Sequence, residues 1–162
     1  MMVLALLGLA LMTGCAAAAD TTADHVEADV TFSKDMIGHH QETIYLAKVG
    51  AERGGDSYVR DLSKKLLGAE QADIDMMASW LQSWQVAVPV TSADAMKAGA
   101  ELAAGDDFDR KWLTTLSEHL KHGVHMAEQV KGAGRHGPTL ELADRLIKEQ
   151  NVQLAEIAKR LA

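Results

Sequence analysis

The sequence predicts an all-α protein, a four-helix bundle built from two helical hairpins in tandem. Apolar residues recur at helical spacing over four long stretches, and the composition is rich in Ala, Leu, Glu and Lys, which favour helix. Gly-rich turns separate the two stretches of each hairpin. Residues 29–82 also align without a gap with residues 109–162, 80 positions further on. An internal repeat of this length indicates two αα-hairpins that share one core.

The N-terminal residues have the pattern of a targeting segment. The first nineteen residues carry no charge, and Cys15, the one cysteine of the chain, follows the apolar run Met1–Met12. This pattern predicts a lipoprotein-type signal peptide over residues 1–19, with a lipobox and lipidation at Cys15, and a polar tether over residues 20–27. Plain secretion and an uncleaved N-terminal anchor are the alternatives. Each of them predicts an extracytoplasmic protein, at the bacterial cell membrane or secreted from it.

Residues 28–162 are expected to form a single domain, with the first repeat at about 29–84, a crossover at 85–105 and the second repeat at about 106–162. Capping residues and turns bound four long helices, which we expect over about Val30–Glu52, Ser57–Trp84, Phe108–Lys131 and Pro138 to the C-terminus. Asp56 is the expected N-cap of the second helix. Within the crossover, Ser92–Ala103 is expected to form a short helix capped by Ser92.

Composition and motifs exclude several functions. The net charge is −7 and no basic patch occurs, so nucleic acid is not an expected partner. The chain has no Glu-x-x-His, no His-Glu-x-x-His, no nucleophile elbow and no phosphate-binding Gly loop. We therefore expect a protein that is not an enzyme, with a metal-dependent redox enzyme as the minor alternative.

A first group of polar residues falls on inward helix faces. His39 and His40 lie on the apolar face of the first helix, and Asp73 lies on that of the second. Two imidazoles and a carboxylate on facing helices suit a Cu, Zn or Fe half-site. The alternative is a structural network in which Asp73 accepts a histidine N–H inside the core.

A second group lies on the third helix. His119, His122 and Met126 follow one another at i, i+3 and i+4 spacing, along one edge of the helix. Imidazole with thioether is the ligand set that Cu(I) prefers. The alternative is a His-rich surface edge with Met126 packed in the core. Met36 and Met77 are further candidate ligands, although methionine at helical spacing more often fills a core.

The chain resembles the domain of unknown function 305 family. The resemblance rests on three segments: Asp29-x-x-Phe32-x-x-x-Met36-Ile37-x-His39-His40-Gln41, Gln71-x-Asp73-Ile74-x-x-Met77-x-x-Trp80-Leu81 and Phe108-Asp109-Arg110-x-Trp112-Leu113. It implies a ferritin-like four-helix domain, usually exported and often a lipoprotein, and some members are associated with copper binding and resistance. The second repeat departs from the family pattern at His119-Leu120, where two histidines are usual, at Leu116 and at Gln153.

Residues and resemblance together predict an extracytoplasmic, membrane-anchored metal-binding protein, with a copper ion as the expected cargo for buffering, handling or resistance. The alternative is a structural or protein-interaction module of the cell envelope that binds no metal. The expected partners are the metal ion and, through the N-terminal lipid, the membrane. A homodimer with a site between chains is left open.

Overall fold

The computed structural model describes residues 24–102 and 105–162. Within them the chain forms four long α helices: α1 (Glu27–Arg53), α2 (Ser57–Ser83), α3 (Phe108–Ala133) and α4 (Gly137–Leu161). This confirms the predicted all-α four-helix fold. The predicted signal peptide, Cys15 and residues 20–23 of the tether lie outside the described residues. No helix of the described part is long and apolar enough to cross a membrane.

The helix boundaries follow the predicted caps, with one error in the crossover. The Asp56 carboxylate accepts a hydrogen bond from the Tyr58 N–H at 2.8 Å and so caps α2, as expected. The predicted helix over Ser92–Ala103 is wrong, because among the described residues 92–102 only Ala95–Lys97 is helical, as one 3₁₀ turn. Gly99 has a φ of 76°, which ends helical geometry there. A side chain at this position would also collide with Leu46, since its Cβ would lie 2.7 Å from Leu46 Cδ1.

Two aspartates hold the ends of the hairpins together. Asp29, at the start of α1, is fully buried and accepts hydrogen bonds from the N–H groups of Arg135 and His136, in the α3–α4 turn. Asp109, at the start of α3, accepts from Gly55 and Asp56, in the α1–α2 turn. Each hairpin therefore fixes the turn of the other. The two sets of contacts are related by an offset of 80 positions, since Asp109, Arg135 and His136 lie 80 positions after Asp29, Gly55 and Asp56. This fits the proposed internal repeat; the repeat itself stays an interpretation of the sequence.

The bundle interior has two apolar clusters with polar residues between them along the helices. Leu46, Trp112 and Leu116 belong to the first apolar cluster, and Met36 and Met77 belong to the second. On each helix, buried polar positions or a buried glycine fall between the residues of the two clusters. We call this band the polar layer and include in it the partly exposed His119 and Arg145, which contact His39 and Asp73. Its members are His39, His40, Thr43, Glu70, Asp73, His119, Gly123, Arg145 and Gln150. Because a buried polar group without a partner costs about 1–3 kcal/mol, the contacts within this layer decide what it can do.

Candidate metal site

His39 of α1 and His119 of α3 stack face to face at the centre of the polar layer. Their ring centroids are 3.8 Å apart and their planes differ by 7°. His39 Nε2 lies 2.9 Å from the His119 carbonyl oxygen, and His119 Nε2 lies 3.1 Å from the His39 carbonyl oxygen. Since a carbonyl oxygen can only accept, both Nε2 atoms carry the proton and donate. The lone pair of each neutral ring is therefore on Nδ1.

The two Nδ1 atoms have different surroundings. His39 Nδ1 is buried and has no hydrogen-bond partner, whereas His119 Nδ1 lies 3.8 Å from the Glu42 carboxylate. The Thr43 hydroxyl lies 2.9 Å from His119 Nε2 and gives that ring a further contact. An imidazole that donates one N–H to a backbone carbonyl and leaves its other nitrogen free has the arrangement usual for metal-ligating histidines. His39 therefore meets the requirements for a ligand.

Burial keeps both stacked rings neutral. Burial, together with the repulsion that a protonated His119 would exert, lowers the pKa of His39 well below its usual 6.5. Burial likewise lowers the pKa of His119 to about 4, although the hydrogen bond to the His39 carbonyl opposes the shift. At neutral pH no proton has to leave either lone pair before a metal binds.

We expect the apoprotein to lose stability as the pH falls from about 6.5 to about 4. In this window the unfolded chain protonates His39 and His119 while the folded chain does not, so protons favour unfolding. A shift of His119 from 6.5 to about 4 corresponds to about 3 kcal/mol lost at the acid end. Chemical denaturation across this pH range measures the effect. His119→Gln is expected to flatten the pH dependence and exposed His125→Gln to leave it unchanged; equal slopes in the two variants would contradict the assignment.

An open groove runs beside the stacked pair on the α1–α3 face. It has a volume of about 430 Å³, and its lining includes Gly38, His39, Glu42, His122 and Met126. The His122 ring is exposed, and its centroid lies 5.7 Å from that of His39. Met126 is partly buried. The groove thus brings one buried imidazole, one exposed imidazole and one thioether to the same wall of the bundle.

The composition of this group limits the metals that it suits. Among residues 24–102 and 105–162, no three His, Cys, Asp or Glu side chains form a group that could hold a metal ion. Zn(II) sites usually take their protein ligands from those four residue types. Cu(I) is soft and accepts thioether sulfur beside imidazole. The donor set of His39, His122 and Met126 therefore fits Cu(I) better than Zn(II).

His40 belongs to a different group, on the α2 side of the polar layer. Its ring is fully buried, with Nδ1 at 3.2 Å from a Glu70 carboxylate oxygen and Nε2 at 3.5 Å from an Asp73 oxygen. Arg145 of α4 donates to the other Asp73 oxygen at 2.6 Å. Burial raises the pKa of Glu70. Burial also acts to raise the pKa of Asp73, but His40 and Arg145 outweigh it and lower that pKa.

The structure rearranges the groups that were proposed from the sequence. The group of His39, His40 and Asp73 is split, because the two adjacent rings, with centroids 6.0 Å apart, face different partners. His119 pairs with His39 across the bundle, while His122 and Met126 line the groove. Met36 and Met77 are fully buried in the second apolar cluster and pack as core residues, so we leave them out of the candidate site.

Sequence reasoning missed three polar residues of this layer. Glu70 lies three positions before Asp73 and therefore on the same face of α2, a signal that was available. Gln150 lies 80 positions after Glu70 and is equally buried. Arg145 left no such signal, because only the packing of α4 against α2 brings it to Asp73.

Comparison with known proteins identifies the family. The family model described as domain of unknown function, DUF305, matches residues 29–161, so the chain belongs to this family of four-helix proteins. Among curated proteins no significant match to the chain was found.

Solved structures of similar fold include copper-bound proteins. CopM in the Cu(I)-bound form is 23% identical, with a TM-score of 0.69 over 81% of this chain and 93% of that one. CopM in the Cu(II)-bound form is 23% identical, with a TM-score of 0.73 over 82% and 95%. A DUF305 protein of Streptomyces coelicolor is 27% identical, with a TM-score of 0.64 over 83% and 91%. At these identities the CopM structures establish the shared fold.

Proposed function

We propose that this protein is a non-enzymatic copper-handling protein of the bacterial cell envelope, which binds Cu(I) reversibly in the groove between α1 and α3. His39, His122 and Met126 are the proposed ligands. Lipid attachment at Cys15 would hold the domain at the outer side of the membrane. The predicted signal segment supports this location, and the fold that the chain shares with copper-bound CopM supports the metal.

One observation carries the proposal: the buried, unpartnered Nδ1 of His39. A native interior rarely leaves a buried nitrogen lone pair without a donor, and such an atom calls for an explanation, such as a ligand that is bound for part of the time. Here the ring is locked by the Nε2 contact to His119, and it forms part of a groove that also holds an imidazole and a thioether. A soft cation supplies the electrophile that this nitrogen lacks.

The surroundings suit reversible binding better than permanent storage. His122 is exposed and Met126 only partly buried, so an incoming ligand from another molecule can reach the ion and replace them one at a time. The groove lining also holds two carboxylates, Glu42 and Asp35, against one ammonium group, Lys34, and the whole chain has a net charge of −7. Negative charge raises the local concentration of cations at such a surface. We therefore propose ligand exchange, with the ion handed to or taken from a partner.

Metal retention by the purified mature protein tests the proposal. We expect about one Cu(I) per chain and weak retention of Zn(II), because the donor set combines imidazole with thioether. His39→Ala should lower Cu(I) affinity by at least roughly a hundredfold, since it removes the one ligand that the fold holds in place. Competition with a chromophoric Cu(I) chelator under anaerobic conditions measures both quantities.

Two control variants sharpen this test. His122→Ala should weaken Cu(I) binding as His39→Ala does, whereas His125→Ala, on the same helix but exposed beside Gln129, should bind as the unmodified protein. Absence of Cu(I) retention by the unmodified protein would leave the second candidate function, a structural or interaction module. The buried His40, Glu70 and Asp73, with the partly exposed Arg145, favour that candidate, because this group links α1, α2 and α4 without any metal.

A further inference from the structure

The approach of His39 to α3 depends on a glycine. Gly123 is buried, and it lies on α3 next to His122 and one turn before Met126. A Cβ at this position would lie 2.8 Å from His39 Cε1 and 2.7 Å from Gln150 Oε1. Contacts of this length do not occur between real Cβ atoms and their neighbours, so one of the side chains would have to move. The imidazole of α1 therefore packs directly against the backbone of the helix that carries the other proposed ligands.

We infer that Gly123 is a positioning residue, which sets the distance between His39 and the two ligands of α3. The inference rests on the proposed function and deepens it. His39 has little freedom to give way, because it is stacked on His119 and hydrogen-bonded to the His119 carbonyl. Any side chain at position 123 pushes the ring away from α3, and with it away from His122 and Met126. Glycine alone lets His39 reach the groove ligands while its Nε2 hydrogen bond is kept.

The other hairpin offers a natural contrast. Thr43 lies 80 positions before Gly123, and its hydroxyl contacts Nε2 of His119, the partner ring. At that position a side chain is tolerated and adds a hydrogen bond to the ring. The equivalents of His122 and Met126 there are Glu42 and Leu46, which make no imidazole–thioether pair. The close approach that glycine permits thus occurs beside His122 and Met126, the imidazole–thioether pair.

Gly123→Ala tests the inference, with Gly68→Ala and Gly132→Ala as matched helical controls, because both positions lie outside the groove lining and a Cβ at either meets no atom within 4 Å. We expect Gly123→Ala to lower Cu(I) affinity about 10- to 100-fold, the range typical when a ligand loses its support, and both controls to bind as the unmodified protein. The imidazole ¹⁵N resonances supply a second readout, which a purely structural role would not move. Addition of Cu(I) should shift the ¹⁵N resonance of His39 Nδ1 in the controls and leave this resonance unshifted in Gly123→Ala.

The outcomes distinguish a failure of the proposed function from a failure of the positioning role of Gly123. If the unmodified protein does not bind Cu(I), the proposed function fails; if it binds and Gly123→Ala binds equally well, only the positioning role fails. Should Gly123→Ala not fold, Gly123→Ala with Gln150→Ala removes one of the two collisions and keeps the one with His39, so weak binding is again expected. In the unmodified protein, the Gly123 amide resonance should shift on loading with Cu(I). An unmoved resonance would overturn the inference whichever variants fold.

Discussion

His40→Leu is expected to destabilise the protein by roughly 3–5 kcal/mol, the usual cost of removing one partner from a buried ionic group. His40 lies between Glu70 and Asp73, and all three side chains are buried. Leucine fills the space but supplies no ring nitrogen, so the two neighbouring carboxylates lose the group that they share. Because folded domains are stable by only about 5–15 kcal/mol, urea denaturation at neutral pH will resolve a loss of this size.

The second hairpin supplies the control for this prediction. Its residues 80 positions after His40, Glu70 and Asp73 are Leu120, Gln150 and Gln153, a neutral set at the same positions. The triple variant H40L/E70Q/D73Q copies that set and replaces the three buried members together, and such replacement is often neutral or stabilising. Arg145 stays in place, but its side chain is 39% exposed and keeps the Glu149 carboxylate at 3.7 Å. We expect the triple variant to be within about 1 kcal/mol of the unmodified protein. A triple variant as unstable as His40→Leu would mean that the ionic group is not the source of the effect.

Met126→Leu should separate the binding of Cu(I) from that of Cu(II). Leucine conserves the volume of methionine, so the apoprotein should lose less than about 1.5 kcal/mol. The substitution removes the one proposed sulfur ligand, and thioether is a ligand for Cu(I) rather than for Cu(II). We expect Cu(I) affinity to fall at least about tenfold while Cu(II) affinity stays within about threefold. Parallel titrations of the two ions, under reducing and oxidising conditions, measure the difference.

Met76→Leu is the matched control for the loss of a thioether. Met76 is 40% exposed on α2, outside the lining of the groove. The Met76→Leu variant should bind both copper ions as the unmodified protein does. Equal weakening of Cu(I) and Cu(II) in Met126→Leu would contradict a role for sulfur and point to a general distortion of the groove.

The four-helix fold could be predicted from the sequence because the apolar spacing within each helix agreed with the alignment of the two halves of the chain. Apolar spacing located the four helices, and Asp56 marked the start of α2 correctly. The crossover helix failed because its residues favour helix by composition, while Gly99 must pack against Leu46 with a positive φ. A tertiary contact of this kind leaves no periodic signal.

The candidate site could be predicted only in part from the sequence. Helical phase placed both His39 and His40 on the interior side, and this agrees with their burial. Adjacent residues on a helix differ in direction by about 100°, however, and which neighbour each ring meets depends on how the helices pack. His39 meets His119 across the bundle, whereas His40 meets Glu70 and Asp73 of its own hairpin. The role of Gly123 could be recognised only once the His39 ring was seen against it.

X-ray absorption at the copper edge of the Cu(I)-loaded protein will identify the atoms that bind the ion. We expect a shell that contains imidazole nitrogen and one sulfur, with the sulfur lost in Met126→Leu and an imidazole lost in His39→Ala. A first shell without sulfur, or one that neither substitution changes, would place the ion elsewhere and contradict the site between α1 and α3.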